Sequence, residues 1–285
     1  MIYISSSCVN ARYIKKAIEK LYSYGFTNIE LTGGTYHYEG LEDDLLRLKR
    51  KYRLNYIFHH YFPPEKENFV LNLASLDCSI HKNTILHLSR VIELSKRYET
   101  GVFGFHAGFY TDVTLNEIGV RVKPKTLFNK KYALERFGEG YSQLLKKAAG
   151  EVELYIENNV YSHTNYDSFG DDKPFMLIDF VDYKELMELF NFKLLLDIGH
   201  LKISCQSLHI PFTTEIEKMA RVSDYYHLSD NDGVEDRHTP VYNKTDTWGL
   251  VNRFIKDPKI VTIETKAPAE DLKRSYQSIT KNYYA

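Results

Sequence analysis

Residues 80–106 read Ile80-His-Lys-Asn-Thr-Ile85-Leu-His-Leu88-Ser-Arg-Val-Ile92-Glu-Leu-Ser-Lys-Arg-Tyr98-Glu-Thr-Gly-Val102-Phe-Gly-Phe-His106. Ile85, Leu88 and Ile92 recur at i, i+3 and i+7, the spacing of one apolar helix face packed on a sheet. The run from Val102 to His106 is short, aromatic and β-branched, and reads as a strand that ends on a histidine. The same alternation continues outward in both directions. Strands are expected at 2–5, 28–31, 54–59, 102–106, 153–157, 193–197, 225–228 and 260–264. Helices are expected between them at 11–24, 41–51, 80–98, 132–149, 183–190 and 271–280. Eight strand–helix steps without a Pro/Ser-rich linker or a change of composition predict an α/β fold: one closed (β/α)8 TIM barrel, with residues 1–285 as a single domain. The alternative is a doubly wound open sheet. Against it, the first strand–helix junction, Ser5-Ser-Ser-Cys-Val-Asn10, lacks the Gly-x-Gly-x-x-Gly of a dinucleotide site.

Composition narrows the functional classes. Lys and Arg number 37 against 38 Asp and Glu, so no net positive field exists to hold a polyanion by counterion release. No apolar run has membrane-spanning length, and Met1-Ile-Tyr-Ile-Ser-Ser-Ser7 lacks a basic lead and an apolar secretory stretch. Cys8, Cys78 and Cys205 are odd in number and far apart, which argues against a disulfide framework. A soluble protein of the reducing cytoplasm, with no membrane partner, is expected. Aromatic residues at 14 % are accounted for by core packing, with sugar-stacking surfaces as the other use.

The strand ends carry the chemistry. They are His59-His60, His106, Glu157, Asp197 followed by His200, His227, and Glu264, all metal-ligand types. Separated by 30 to 51 residues, they would converge on one rim of a closed barrel. Asp236-Arg237-His238 follows the seventh strand and adds two more. A lone histidine at a strand end is usually packed or hydrogen-bonded, but that reading has to be repeated for every strand in turn. Mixed imidazole and carboxylate donors suit Zn2+ or Mn2+, and nine such residues exceed one tetrahedral shell, so more than one ion is implied. Glu157 and Glu264 suit a bridging role. In Asp197-Ile-Gly-His200, Gly199 is expected to take a positive φ that turns the imidazole back to the rim. His37, His81, His87, His163 and His209 lie at no expected strand end and read as surface or helix-face residues.

With these motifs the chain resembles the xylose isomerase-like barrel superfamily, which contains endonuclease IV and many sugar isomerases and epimerases. The resemblance spans nearly the whole sequence. It rests on Val70-Leu-Asn-Leu-Ala-Ser75, Phe105-His-Ala-Gly108, Ile156-Glu-Asn158, Asp197-Ile-Gly-His200, His227-Leu-Ser-Asp-Asn-Asp-Gly233, Asp236-Arg-His238 and Ile263-Glu264. By motif it implies a metal set of His59, His106, Glu157, Asp197, His200, His227, Asp236, His238 and Glu264, holding one to three ions. His59 is chosen over His60 because strand alternation lets only one face the axis and related sequences read His-x-Tyr-Phe-Pro. The subset Glu157, Asp197, His227 and Glu264 matches the single-metal site of ketose epimerases.

Two reactions follow. The first is isomerisation or epimerisation of a sugar or sugar phosphate through an enediolate held by the metal, with Glu157 and Glu264 as catalytic base and acid. The alternative is an endonuclease IV-like phosphodiesterase that cuts DNA at abasic sites, and a metal-holding scaffold without catalysis is a third reading. A carbohydrate partner is favoured over nucleic acid. Residues 61–68 carry two acids and one base where the endonucleases place DNA-wedging residues, and 32–39 contain no Lys or Arg to reach a phosphate. The basic run at 47–51 falls on an outer helix. Residues 61–68, stiffened by two prolines and expected to be exposed, and 160–182 read as candidate lids at the mouth of the barrel.

Overall fold

Each short apolar run pairs in parallel with the next along the chain, and the last returns to the first. In the computed structural model, which describes residues 1–283, the strands are β1 (Ile2–Ser5), β2 (Asn28–Leu31), β3 (Asn55–His59), β4 (Val102–His106), β5 (Glu153–Glu157), β6 (Lys193–Asp197), β7 (Ser223–Leu228) and β8 (Ile260–Ile263). They form one closed barrel in sequence order. Closure sets Ile2 opposite Val261 and Ile4 opposite Ile263.

Parallel neighbours need crossovers, and helices supply them. These are α1 (Ile14–Ser23), α2 (Leu41–Tyr52), α3 (Cys78–Arg97), α4 (Lys130–Ala148), α5 (His163–Phe169), α6 (Phe180–Leu189), α7 (Ile198–Ser207), α8 (Phe212–Ala220), α9 (Asp246–Phe254) and α10 (Ala269–Tyr283). Local chemistry fixes several ends. Asp77 accepts from the backbone of Ser79 and Ile80 and starts α3 two residues before the periodic signal. In α2, Glu42, Asp43 and Asp44 occupy the first turn and Lys49, Arg50 and Lys51 the last, both favourable to the helix dipole. The basic run therefore lies on the outer ring, where Arg47 pairs with Asp44.

Alternation along the strands sorts side chains into a barrel interior and a helix-facing exterior. At one end the interior is filled by Tyr3, Ile57, Val102, Tyr155, Leu195, Tyr225 and Ile260. Two residues further along these strands stand His59, Gly104, Glu157, Asp197, His227 and Thr262, with His106 and Glu264 one step beyond. The apolar plug thus gives way to polar side chains within one pleat repeat, at the C-terminal end of the strands.

Several expectations need correction. Phe62, Pro63 and Pro64 are buried, so only Lys66–Asn68 of the 61–68 loop is exposed; the prolines pack inward. Segment 160–182 is no open loop. It contains α5, bridges Phe109 through Phe175 and buries Tyr161, Met176, Leu177 and Ile178. Gly199 has no positive φ: it lies in the first turn of α7, and a Cβ there would stand 2.4 Å from Ser229 Oγ. Close approach of backbone to side chain explains the glycine. The three cysteines are free, and among the described residues no helix is long and apolar enough to cross a membrane.

Candidate metal centre

Glu157, at the end of β5, is the hub of the site. Its Oε2 lies 2.7 Å from His59 Nε2 and 3.1 Å from His106 Nδ1, and its Oε1 lies 3.2 Å from His227 Nδ1 and 3.8 Å from His200 Nδ1. Glu264, one residue past β8, stands 3.5 Å from His227 Nδ1. Asp236 Oδ2 lies 3.1 Å from His238 Nε2 and 3.5 Å from His200 Nε2, so the loop after β7 bends back onto the same rim. Asp197 caps α7, its Oδ1 accepting from His200 N at 2.7 Å. Ligand atoms gather within 4.8 Å of one another in three groups: His59, Glu157 and His227; His106, Glu157 and His200; Glu30, His227 and Glu264. Asp197, Asp236 and His238 stand beside these groups, outside all three.

The far nitrogen of several imidazoles is fixed by the fold. A carbonyl only accepts, so the contacts of His200 Nδ1 with Asn158 O (3.0 Å) and of His238 Nδ1 with Glu264 O (3.2 Å) put the proton on Nδ1. Both residues then turn Nε2 towards Asp236. His60 is different: its Nδ1 accepts from the backbone N–H of His106 at 3.2 Å, which ties it to β4 instead of the rim.

Converging charge displaces the titrations. Burial alone would push the Glu157 carboxyl up, yet the flanking His106, His59 and His227 hold it well below the carboxylate range. Burial likewise opposes the shift at Glu264, which His227 brings down to about 2. For His227, burial is outweighed by Glu30, Glu264 and Glu157, and for His200 by Asp197 and Asp236; both imidazoles are raised well above their ordinary value. Burial dominates at Asp197, pushed up to about 6, and at His106, pushed down to about 4.

Do these residues fit a metal? His106 Nδ1, Asp197 Oδ2, Asp236 Oδ1, Glu30 Oε1 and both ring nitrogens of His227 are buried without a hydrogen bond. Buried polar atoms are seldom left so; Glu30 Oε1 and His227 Nε2 face each other at 2.9 Å one layer down, and the other four, around one rim, mark a place where a cation satisfies them. Imidazole nitrogen and carboxylate oxygen are donors that Zn2+ and Mn2+ both accept. The residues fit a divalent ion.

Glu30 belongs to one of the three groups although no strand-end rule points to it. It is the third residue of β2, not its last, and the feature that marks the other site residues passes over it. A signal exists in the sequence all the same: a glutamate between Ile29 and Leu31, in a strand otherwise apolar at its centre, points into the barrel.

A cavity of about 790 Å3 opens beside His59, His60 and His106. Tyr36 and His37 from the loop after β2 and Tyr61, Pro63 and Phe69 after β3 form part of its wall. His87 of α3, which carried no expectation of a role, also lines it and pairs with Glu65 at 2.9 Å. Lys66 is the one lysine or arginine among the lining residues.

Fold and rim together define a class, and the chain belongs to the xylose isomerase-like TIM barrel family, which matches it over residues 18–282. Solved structures on both sides of that family share the barrel. A D-tagatose 3-epimerase-like protein superposes with a TM-score of 0.70 at 18 % identity, covering 99 % of this chain and 96 % of that one. The 3-keto-D-glucoside 4-epimerase from E. coli gives 0.63 at 11 %, over 98 % and 97 %. Endonuclease IV from Thermus thermophilus gives 0.58 at 15 %, over 98 % and 97 %. At these identities the likeness is one of fold. No curated protein matches the chain in sequence.

Proposed function

We propose that this protein is a divalent-metal-dependent isomerase or epimerase of a sugar or sugar derivative. His59, His106, Glu157, Asp197, His200, His227, Asp236, His238 and Glu264 are its metal ligands, for one to three Zn2+ or Mn2+ ions. The observation that carries the reading is the cavity of about 790 Å3 lined by His59 and His106 of that set. Its size is that of small-molecule sites, and with Lys66 as its one long-chain cation it offers little grip on a string of phosphates. Several of the structures sharing this barrel, among them D-psicose 3-epimerase and L-ribulose 3-epimerase, are named for reactions of this type.

A bound divalent ion supplies Lewis-acid polarisation of a substrate carbonyl. The chain supplies the proton traffic. One of Glu157 and Glu264, as the carboxylate, takes the proton from the carbon beside the carbonyl; the C–H electron pair becomes the C=C of an enediolate as the carbonyl π pair moves onto oxygen. The other, charged beforehand with a proton from solvent, gives it to carbon as the carbonyl re-forms. Burial of Glu157 and Glu264 keeps bulk water from competing for that proton.

Hydrolysis of a phosphodiester is the second reading, favoured by the Asp236, His238 and His200 chain, which extends the donor set beyond the four residues an epimerase needs. Incubation with Mn2+ and D-tagatose or D-fructose in D2O separates the two. Deuterium entering the carbon next to the carbonyl, followed by NMR, is the expected result, with Glu157→Gln and Glu264→Gln slower by ~100-fold or more. Efficient incision of an abasic duplex, lost in Glu264→Gln, with no deuterium exchange into any ketose, would replace this reading by the second.

A further inference from the structure

Glu30 sits one layer below the metal-ligand residues. On β2 it is level with Ser5 and with Ile57, which is two residues before His59. Its side chain is fully buried. Tyr225 Oη and Thr262 Oγ1 both donate to Oε2, the second at 2.6 Å, so that oxygen is fully engaged. The other oxygen, Oε1, lies 2.9 Å from His227 Nε2. That pair is at hydrogen-bond distance with a poor angle, and neither atom has a hydrogen bond elsewhere. Across the same ring, Nδ1 faces Glu157 Oε1 at 3.2 Å and Glu264 Oε2 at 3.5 Å.

We infer that Glu30 is a positioning residue for His227: its Oε1 takes the Nε2–H, which leaves the Nδ1 lone pair turned towards Glu157 and Glu264 to bind the ion. The inference rests on the metal reading of the site. His200 and His238 have their far nitrogens fixed by backbone carbonyls, a weaker acceptor. His227 alone of the three faces a full carboxylate, an arrangement that both orients an imidazole and raises its basicity as a ligand. Glu30 does not itself reach up as a ligand, because two hydroxyl donors from β7 and β8 hold Oε2 in the layer below. A purely structural carboxylate would be an expensive filler at this depth, where an amide or an apolar side chain would pack without desolvating a charge.

The test uses full-length, metal-stripped protein titrated with ZnCl2 in a calorimeter, together with two-bond 1H–15N NMR of the zinc-loaded, histidine-labelled protein. In the wild type, His227 is expected to carry its proton on Nε2 and its metal on Nδ1. Glu30→Ala should weaken the tightest zinc site by about 10–100-fold with unchanged stoichiometry, because removing an outer-shell partner typically has that effect. Glu30→Gln should stay within about threefold of wild type, since its carbonyl still accepts from Nε2 while the hydroxyls of Tyr225 and Thr262 accept from its amide. Wild-type zinc affinity in folded Glu30→Ala, a His227 protonated on Nδ1, or loss of one whole zinc equivalent would each overturn the inference, the last by making Glu30 a ligand. Should Glu30→Ala fail to fold, the wild-type NMR and Glu30→Gln still decide it. A wild type that binds no zinc removes the metal reading as well; intact binding with an indifferent Glu30 removes this inference alone.

Discussion

At the scale of single residues the site turns on Glu157, which belongs to two of the three ligand groups and whose two oxygens serve His59, His106, His227 and His200. Its loss should therefore disturb more than one ion, whereas His238 turns its one outward nitrogen, Nε2, to Asp236. Elemental analysis of dialysed variants is expected to find Glu157→Gln depleted of most of its metal and His238→Ala lacking at most one equivalent. Full metal content in Glu157→Gln would remove the hub role. Gly199 makes a second residue-level case. An added Cβ meets Ser229 Oγ at 2.4 Å, Asn231 Nδ2 at 3.2 Å and Asp197 Oδ1 at 3.3 Å, all in the tight junction that presents His200. Gly199→Ala should cost about 1–3 kcal/mol, the usual range for overpacking, read as a lower urea midpoint at constant slope. An unchanged midpoint would mean that Ser229 moves aside freely.

At the scale of elements, the loop between β3 and α3 is pinned by Glu65, which pairs with His87 and reaches Arg90 at 3.5 Å. The hydrogen bond from His87, acting against burial, holds the Glu65 carboxyl below its ordinary 4.5. A lowered acid stabilises above its unfolded pKa, so the docking of the loop is expected to weaken as pH falls from about 4.5 through the folded value. Glu65→Ala should leave global stability within about 1 kcal/mol, because the pair is partly exposed, yet speed tryptic cleavage after Lys66. Equal cleavage in both proteins would mean that Pro63 and Pro64 alone hold the loop. Elements also explain what the sequence disclosed. Strand ends were legible at β1 and at β3 to β6 because each is a compact apolar run closed by a polar residue, and α1 to α4 because each has one wet face. The helix α7 was not: Ile198, Leu201, Ile203, Cys205 and even Ser204 and His200 are buried, so no polar face breaks the pattern into a helical period. Pro63 and Pro64 misled in the opposite direction, since local stiffness says nothing about which way a loop packs. Glu30 was missed for a related reason: sequence marks where a strand stops, while the layer below the rim is set by register between β2, β7 and β8.

At the scale of the whole molecule, the barrel draws its imidazoles and carboxylates into one mouth over an apolar plug, and without an ion they can only neutralise one another. His227 and His200, raised by their carboxylate neighbours, stabilise the fold below about 6.5 and lose that contribution as pH rises through their raised values. Glu157 and Glu264, lowered by the same neighbours, stabilise above 4.5 and lose it as pH falls. An ion replaces the protons on the imidazoles, so its affinity has to grow as pH rises. Stripping the protein with a chelator and restoring Zn2+ or Mn2+ at one fixed concentration, about 100 times the Kd at pH 8, should add about 2.7 kcal/mol at pH 8. For a chain of this size that corresponds to a Tm higher by roughly 4–6 °C. The increment, followed by circular dichroism, is expected to be larger at pH 8 than at pH 6. Equal increments at the two values would show that the ion is held by carboxylates alone and that the histidines on the rim, however well gathered, are not its ligands.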